Sequence, residues 1–224
     1  MSFIVAIDGT AGSGKGTMAN AISEDLGFLN IDTGATYRCV ALASIRANVP
    51  YTDVEGMIKL LDDIEIDIQG DHANPIFLLN GEDVTKEIRS AEVTKIVSQV
   101  SCIPEVRYKL VEIQRKLAVG KNVVLDGRDI GTYVFPNADV KIYLDATEEV
   151  RAKRRWLENQ EKGIDMTYEE VLENIKMRDK QDKEKEIGAL KLADDATYID
   201  TTDLTIEEVK NKIEDIIKEK WVKE

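Results

Sequence analysis

This chain predicts an α/β fold, a parallel sheet wrapped by helices, and three observations carry that expectation. Apolar runs of strand length recur at Phe3–Ile7, Phe28–Ile31, Asn122–Asp126, Val140–Leu144 and Thr197–Ile199. Val, Ile and Tyr dominate them, and several lack alternation, as strands covered on both faces do. Helical patterns fill the intervals at Gly16–Leu26, Ala35–Ala47, Glu105–Val119, Glu148–Lys162, Tyr168–Lys183 and Ile206–Lys220. Such alternation argues for a parallel sheet, here five-stranded, with helices flanking it. One interval, Val49 to Ser101, breaks the rhythm. There Ile64, Ile66 and Ile68 alternate with acidic residues, Ile76–Leu79 is a second short strand, and Asn80-Gly81 favours a tight turn. It reads as a small α+β insertion beside the core.

The first strand leads straight into chemistry. Gly9, Gly14 and Lys15 fit G-x-x-x-x-G-K, a loop that wraps a nucleotide's phosphates. Glycines let the chain turn its N–H groups inward, Lys15 adds a point charge, and the next helix offers its positive end. The predicted donor-binding run is Gly9, Thr10, Ala11, Gly12, Ser13, Gly14, Lys15, Gly16 and Thr17. Gly16 sits where a Mg²⁺-binding Ser or Thr usually follows the lysine, and Thr17 comes one place later.

Composition excludes several alternatives. The 224-residue chain has a net charge of −13, which argues against general nucleic-acid binding, a function that needs a positive field. Its one histidine, His72, excludes His-based metal clusters. Cys39 and Cys102 lack C-x-x-C spacing and read as two buried thiols of a cytosolic protein. No apolar run approaches the ~18 residues of a membrane span, and the N-terminus lacks a basic n-region.

Two further clusters follow strand ends. After Phe28–Ile31 come Asp32 and Thr33, either able to cap the next helix, then Tyr37 and Arg38 in its first turns. Arg38 is either a surface arginine behind that cap or a fork for a second phosphate. The middle strand ends Asp126-Gly127-Arg128-Asp129-Ile130-Gly131. Asp126 resembles the acidic residue that orients hydrated Mg²⁺ in many phosphate-loop enzymes. Arg128 and Asp129 are either an ion pair or a site in which one neutralises phosphate and the other accepts from an exocyclic amine.

Taken in order with Ala193-Asp194-Asp195-Ala196 and Ile199-Asp200-Thr201-Thr202, these clusters resemble bacterial cytidylate kinase over nearly the whole chain. The resemblance implies a phosphate-loop kinase core over residues 1–48, 101–150 and 190–224. It also implies a monophosphate-binding insertion over 49–100 and a helical lid over 151–189. It further implies ATP and Mg²⁺ as donor and cofactor, CMP or dCMP as acceptor, a monomer, a cytoplasmic location, and neither nucleic acid nor membrane as partner. By that resemblance Arg38 and Arg128 grip the acceptor phosphate, with Thr33 and Tyr37 lining the pocket. Ser98, Arg107 and Asp129 read cytosine, while Arg178, Asp182 and Lys185 complete the acceptor site.

The sequence departs from the family pattern in places. Lys185 stands where an arginine is usual, Gly188-Ala189-Leu190 replaces Ala-Pro-Leu, and Thr10 and Thr36 replace Pro and Met. Arg151, Lys153, Arg154 and Arg155 form a basic knot, either a solvated helix face or lid arginines that close over the transferring group. Spacing favours Arg151 and Arg155 on one face, and both are expected to be catalytic together with Lys15 and Arg128. No direct metal ligand is expected, with Asp126 acting through water. A kinase for another monophosphate or metabolite, and a regulator that only binds ATP, are the competing readings.

Overall fold

The computed structural model describes residues 2–70 and 75–221, so His72 lies outside the described residues. Its first half runs β1 (Ile4–Gly9), α1 (Lys15–Leu26), β2 (Leu29–Asp32), α2 (Thr33–Arg46) and α3 (Val54–Asp63). The hairpin strands β3 (Ile66–Gly70), β4 (Pro75–Leu79) and β5 (Glu82–Asp83) follow, then α4 (Ala91–Val100) and α5 (Pro104–Ala118). The second half runs β6 (Val123–Gly127), β7 (Val140–Asp145), α6 (Glu148–Glu161), α7 (Tyr168–Glu184), β8 (Thr197–Asp200) and α8 (Ile206–Lys220).

The main sheet has the order β2-β6-β1-β7-β8, with every pairing parallel. Its three central strands, β6, β1 and β7, are buried on both faces, as their unbroken apolar runs require, while the edge strand β8 buries only Ile199. Val5 and Ile7 point toward the cluster formed with α1 and α8, while Ala6 belongs to the opposite cluster with α2, α5 and the insertion. This parity follows from the two-residue strand period. The insertion adds an antiparallel sheet, β3-β4-β5, closed by Asn80 and Gly81, both at positive φ. Helices α3 and α4, which the sequence did not resolve, start at Asp53 and Ser90, whose side chains accept from Gly56 N and Val93 N.

Helices α6 and α7 form a hairpin with its own apolar cluster of Ala152, Val171 and Ile175, separate from both sheet faces. Thr167 starts α7 with a capping box closed by Glu170. The two thiols differ from expectation: Cys39 is buried on α2, but Cys102 is exposed. The reason is local, since Cys102 lies in the short surface turn between α4 and α5.

A row of aspartates marks the carboxyl edge of the sheet. Asp32 pairs in register with Asp126, Asp145 with Asp200, and Asp8 lies opposite Gly127 and Tyr143. Ligands of open parallel sheets sit outside this edge.

Candidate active site

The glycine loop between β1 and α1 is held from behind. Gly9 has φ +149°, and a methyl group there would lie 1.9 Å from the Leu144 carbonyl oxygen, so no other residue fits. Thr10 donates through Oγ1 to Asp145 Oδ1 at 2.7 Å, which gives the departure at this position a supporting role. Ala11 is gripped on both sides: its N–H donates to Asp179 Oδ1 at 3.3 Å, and its carbonyl accepts from Arg151 Nη1 at 2.9 Å. Arg151 and Asp179 themselves pair at 2.6 Å, both buried. Lys15 is buried, with its ammonium folded against the Thr10 carbonyl and Ser13 Oγ. Burial, then the nearby Arg128, pulls its pKa well below the usual lysine range. Gly12, Gly16 and Thr17 face solvent at the mouth, while Ser13 is buried and Gly14 forms the helix N-cap in a left-handed conformation.

Arg151 and Arg155, four residues apart on α6, differ in burial. Arg151 is 3% exposed and points into the loop, donating also to the Ala146 carbonyl at 2.8 Å. Arg155 is exposed and pairs with Glu158 at 2.9 Å. Four residues advance a helix by slightly more than one turn, so the two share one side of α6, where the glycine loop and Asp179 cover Arg151 and leave Arg155 open to solvent. Arg154 donates to the Thr201 carbonyl at 2.6 Å, tying α6 to the end of β8.

A second basic region faces the loop across the sheet edge. Burial lowers the pKa of Arg38, Asp32 opposes that shift, and Arg89 and Arg155 add to it. Arg178, which solvent still reaches, is lowered to about 10 by the surrounding protein and then by Arg128, with Arg38 and Arg155 adding further. Like charges that weaken one another's hold on protons occupy a common space. Arg38 is steadied by the Ile88 carbonyl and Thr94 Oγ1, at 3.1 and 2.9 Å from Nη1. Arg128 donates to Asp182 Oδ2 at 2.7 Å, and Lys185 reaches Asp182 Oδ1 at 2.8 Å. Although burial opposes it, this pair of cations holds the Asp182 carboxylate well below its ordinary range. Thr33 serves as a strut, its hydroxyl donating to the Asp126 carbonyl at 2.7 Å.

Beside these cations lies a buried ion pair, Arg107 with Asp129. Arg107 also donates to the Ser101 carbonyl at 3.3 Å, and its guanidinium carbon lies 5.5 Å from the centre of the Tyr37 ring. Ser98 is half-buried on α4 and lines an open groove of about 330 Å³. Cys102 and Pro104 line the same side of the groove, opposite Gln181, Lys185 and Ile187. Thr36, the other departure from the family pattern, is buried and satisfied by Gln114 Nε2 at 2.9 Å.

Asp126 lies at the junction of the two regions. Burial, then the register partner Asp32, pushes its carboxyl up to about 7, with Lys15 and Arg128 pulling the other way. A methyl group on Gly16 would still be 3.9 Å from Asp126 Oδ2, so the space beside that carboxylate is open. Among the described residues no group of three or more His, Cys, Asp or Glu side chains could hold a metal. One or two hard carboxylate oxygens beside an open space suit a Mg²⁺ ion that keeps its waters and takes its other ligands from phosphate.

Sequence reasoning missed several contributors. Asp8 is 4% exposed and accepts from Ile130 N at 2.8 Å and Gly131 N at 2.7 Å, fixing the turn that presents Arg128 and Asp129. Its signal was available: a carboxylate inside an apolar strand, immediately before the glycine loop. Arg89, 3.5 Å from Asp32, and Asp179 look like ordinary surface charges in the sequence.

Two anion-binding regions on one edge of a parallel sheet, one of them a glycine loop delivering a lysine, meet the needs of phosphoryl transfer. Fold and site together define a phosphotransferase of the phosphate-loop kinase class. The chain belongs to the cytidylate kinase family, whose model matches residues 5–219. Cytidylate kinase of Caldicellulosiruptor saccharolyticus is 48% identical over 209 residues, covering 93% of this chain and 92% of that protein. Cytidylate kinase of Fusobacterium nucleatum is 49% identical over 212 residues, covering 95% of each. A crystal structure of an uncharacterised protein from Eubacterium ventriosum shares the fold at TM-score 0.51 and 14% identity, covering 97% of this chain and 99% of that one.

Proposed function

We propose that the protein transfers the γ-phosphoryl group of ATP to CMP, and to dCMP, giving ADP and the cytidine diphosphate. The observation that carries this reading is the convergence of Arg38, Arg128 and Arg178 on a space bordered by Lys15 on one side and by Arg107–Asp129 on the other. The donor phosphates lie on the loop amides, with Lys15 leaving the Thr10 carbonyl for the β- and γ-phosphates. The acceptor phosphate takes Arg38 and Arg128, and its cytosine presents N3 and O2 to Arg107 and its amine to Asp129 and Ser98.

An acceptor phosphate oxygen attacks the γ-phosphorus in line, and the bond to the bridging oxygen of the leaving ADP breaks. That acceptor, with a second pKa near ~6, is already largely ionised, so no general base is needed. Positioning and positive charge provide the catalysis. Mg²⁺, when bound with the donor, neutralises the phosphate charge that builds up during transfer.

Residues 151–189 act as a lid and residues 49–100 as the acceptor-binding insertion. Arg155 and Arg178 move toward the transferring group, and Arg151 keeps the loop in shape. A closed lid excludes water and so prevents hydrolysis of the donor. The protein works in the cytoplasm as a monomer.

An ADP-release assay with CMP, dCMP, UMP, AMP and GMP in parallel tests the reading. CMP and dCMP are expected to exceed the purines by at least roughly 100-fold in kcat/KM, as a site that hydrogen-bonds its base should. Equal turnover of CMP and AMP would overturn the base-reading assignment. Absence of any diphosphate product would leave a protein that only binds ATP.

A further inference from the structure

The chain leaving α7 forms a strap with both ends tied to one residue. Lys185 Nζ meets Asp182 Oδ1 at 2.8 Å, and the Leu190 N–H donates to the Asp182 carbonyl at 2.8 Å. Leu190 is buried and seats the far end. Between these ties the tip, Gly188, presses on the Arg107–Asp129 pair. A methyl group at Gly188 would lie 1.9 Å from Arg107 Nη2 and 2.1 Å from Asp129 Oδ2. Its φ is +65°, so backbone conformation and space both exclude any other residue. The Gly188 carbonyl accepts from Arg107 Nη2 at 3.4 Å, near the limit for a hydrogen bond.

Arg107 is 3% exposed, yet its Nε has no hydrogen-bond partner. A buried guanidinium donor left unmatched calls for an explanation, because such groups are usually satisfied. Here the guanidinium holds Asp129, a backbone carbonyl at 3.3 Å and the distant Gly188 carbonyl, and still has a donor to spare.

We propose that the strap is a built-in competitor for the acceptor base, with the Gly188 carbonyl holding the place on Arg107 that a base oxygen or ring nitrogen takes. The reading rests on Arg107 and Asp129 as the base-reading pair. A cytosine edge offers Arg107 two acceptors and Asp129 a donor, whereas the strap offers one long contact. The exchange is therefore favourable for the matching base and poor for one that presents a donor to Arg107. While the strap is seated, apparent affinity falls by the fraction of molecules that are open. Gly188 is thus a specificity-determining residue through its conformation, having no side chain with which to read a base. Because Lys185 and Arg128 share Asp182, lifting the strap also loosens the carboxylate that occupies two phosphate-binding cations.

Gly188→Ala cannot seat the strap. Gly120 has a similar φ of +71° with nothing within 4 Å of an added methyl group, so Gly120→Ala reports backbone strain alone. Calorimetric titration with CMP, without donor, is expected to show affinity increased by roughly fivefold in Gly188→Ala and unchanged in Gly120→Ala. ATP affinity should be unaltered in both. Unchanged or weaker CMP binding by a folded Gly188→Ala protein would overturn the strap. Hydrogen exchange on the wild type covers the case in which that variant does not fold. Saturating CMP should speed exchange in residues 186–190, Leu190 included, and ATP should not; unchanged or slower exchange with CMP overturns the proposal. Failure of the wild type to phosphorylate CMP would defeat the functional reading itself. Turnover of CMP with an unresponsive strap would defeat this inference alone.

Discussion

The donor loop is one run of chain, Gly9–Thr17, braced from outside by Asp145, Arg151 and Asp179. The proposed acceptor side draws Arg38 from α2, Arg107 from α5, Arg128 and Asp129 from the end of β6, and Arg178 and Lys185 from α7 and its exit. On the proposed function the donor side binds chiefly with loop amides, of which Ala11 N is held by Asp179 and Ser13 N by the Thr10 carbonyl. The proposed acceptor side is built of cations that carboxylates of this chain hold: Arg107 by Asp129, Arg128 and Lys185 by Asp182, Arg89 by Asp32. An acidic protein can thus gather arginines without leaving their repulsion uncompensated. On the proposed function, acceptor binding is an exchange of anionic partners, and donor binding the filling of a braced cradle.

Lys15→Ala breaks the donor side most severely. It should lower kcat/KM about 10³-fold, or ~4 kcal/mol, while CMP affinity stays within about twofold. Steady-state kinetics with a separate CMP titration checks both halves, and a parallel loss of CMP binding would deny that the sides are built independently. Next comes Asp129→Ala, which leaves Arg107 buried without its carboxylate. Denaturant unfolding should show a loss of about 3 kcal/mol, and the preference for CMP over UMP should shrink by roughly tenfold. An undiminished preference would remove Asp129 from base reading and leave it a structural partner.

Asp8 joins the two sides and gives a pH test. Burial raises its folded pKa to about 6 from an ordinary carboxylate value, against the pull of the Gly131 and Ile130 amides. A raised folded pKa contributes stability that is fully present below the unfolded value near ~4 and is lost as pH rises through the folded one. The stability gap between wild type and Asp8→Asn should therefore narrow by on the order of 2 kcal/mol between pH 4.5 and 7.5. Urea unfolding at the two pH values measures it, and a constant gap would mean that Asp8 titrates normally. The smallest effect is expected from Lys185→Arg, which restores a planar fork beside Asp182. A drop of a few-fold in KM for CMP is expected, with kcat little changed. A rise in KM would assign Lys185 to the strap tie and not to the acceptor.

The same contrast explains what the sequence made legible. The donor loop is local: strand, glycines, lysine and helix follow one another, so spacing alone described it. Asp126–Gly131 was legible for the same reason, as charge placed where an apolar strand ends. The bracing was not, because Arg151 and Asp179 lie on different helices and each resembles a solvated charge until the chain is folded. Arg151 and Arg155 show the limit clearly, since periodicity groups them but cannot say that the loop buries the first and leaves the second in solvent. Cys102 failed similarly: its residue type favours burial, but the turn between α4 and α5 exposes it. Gly188 was visible only as a departure from a pattern; its φ and its neighbours give it a role.

The two hydrogen bonds from Asp8 to the 130–131 backbone have a mechanical meaning. Asp8 immediately precedes the first glycine of the donor loop, and the turn it holds carries both Arg128 and Asp129. The glycine loop and the proposed base-reading residue therefore share one bracket, and whatever the α6–α7 hairpin does swings around a fixed gauge. Moving parts can change who enters and when, but the span across which the phosphoryl group travels is machined into the sheet. An engineer seeking a new acceptor could rework the strap or the insertion and leave that span untouched.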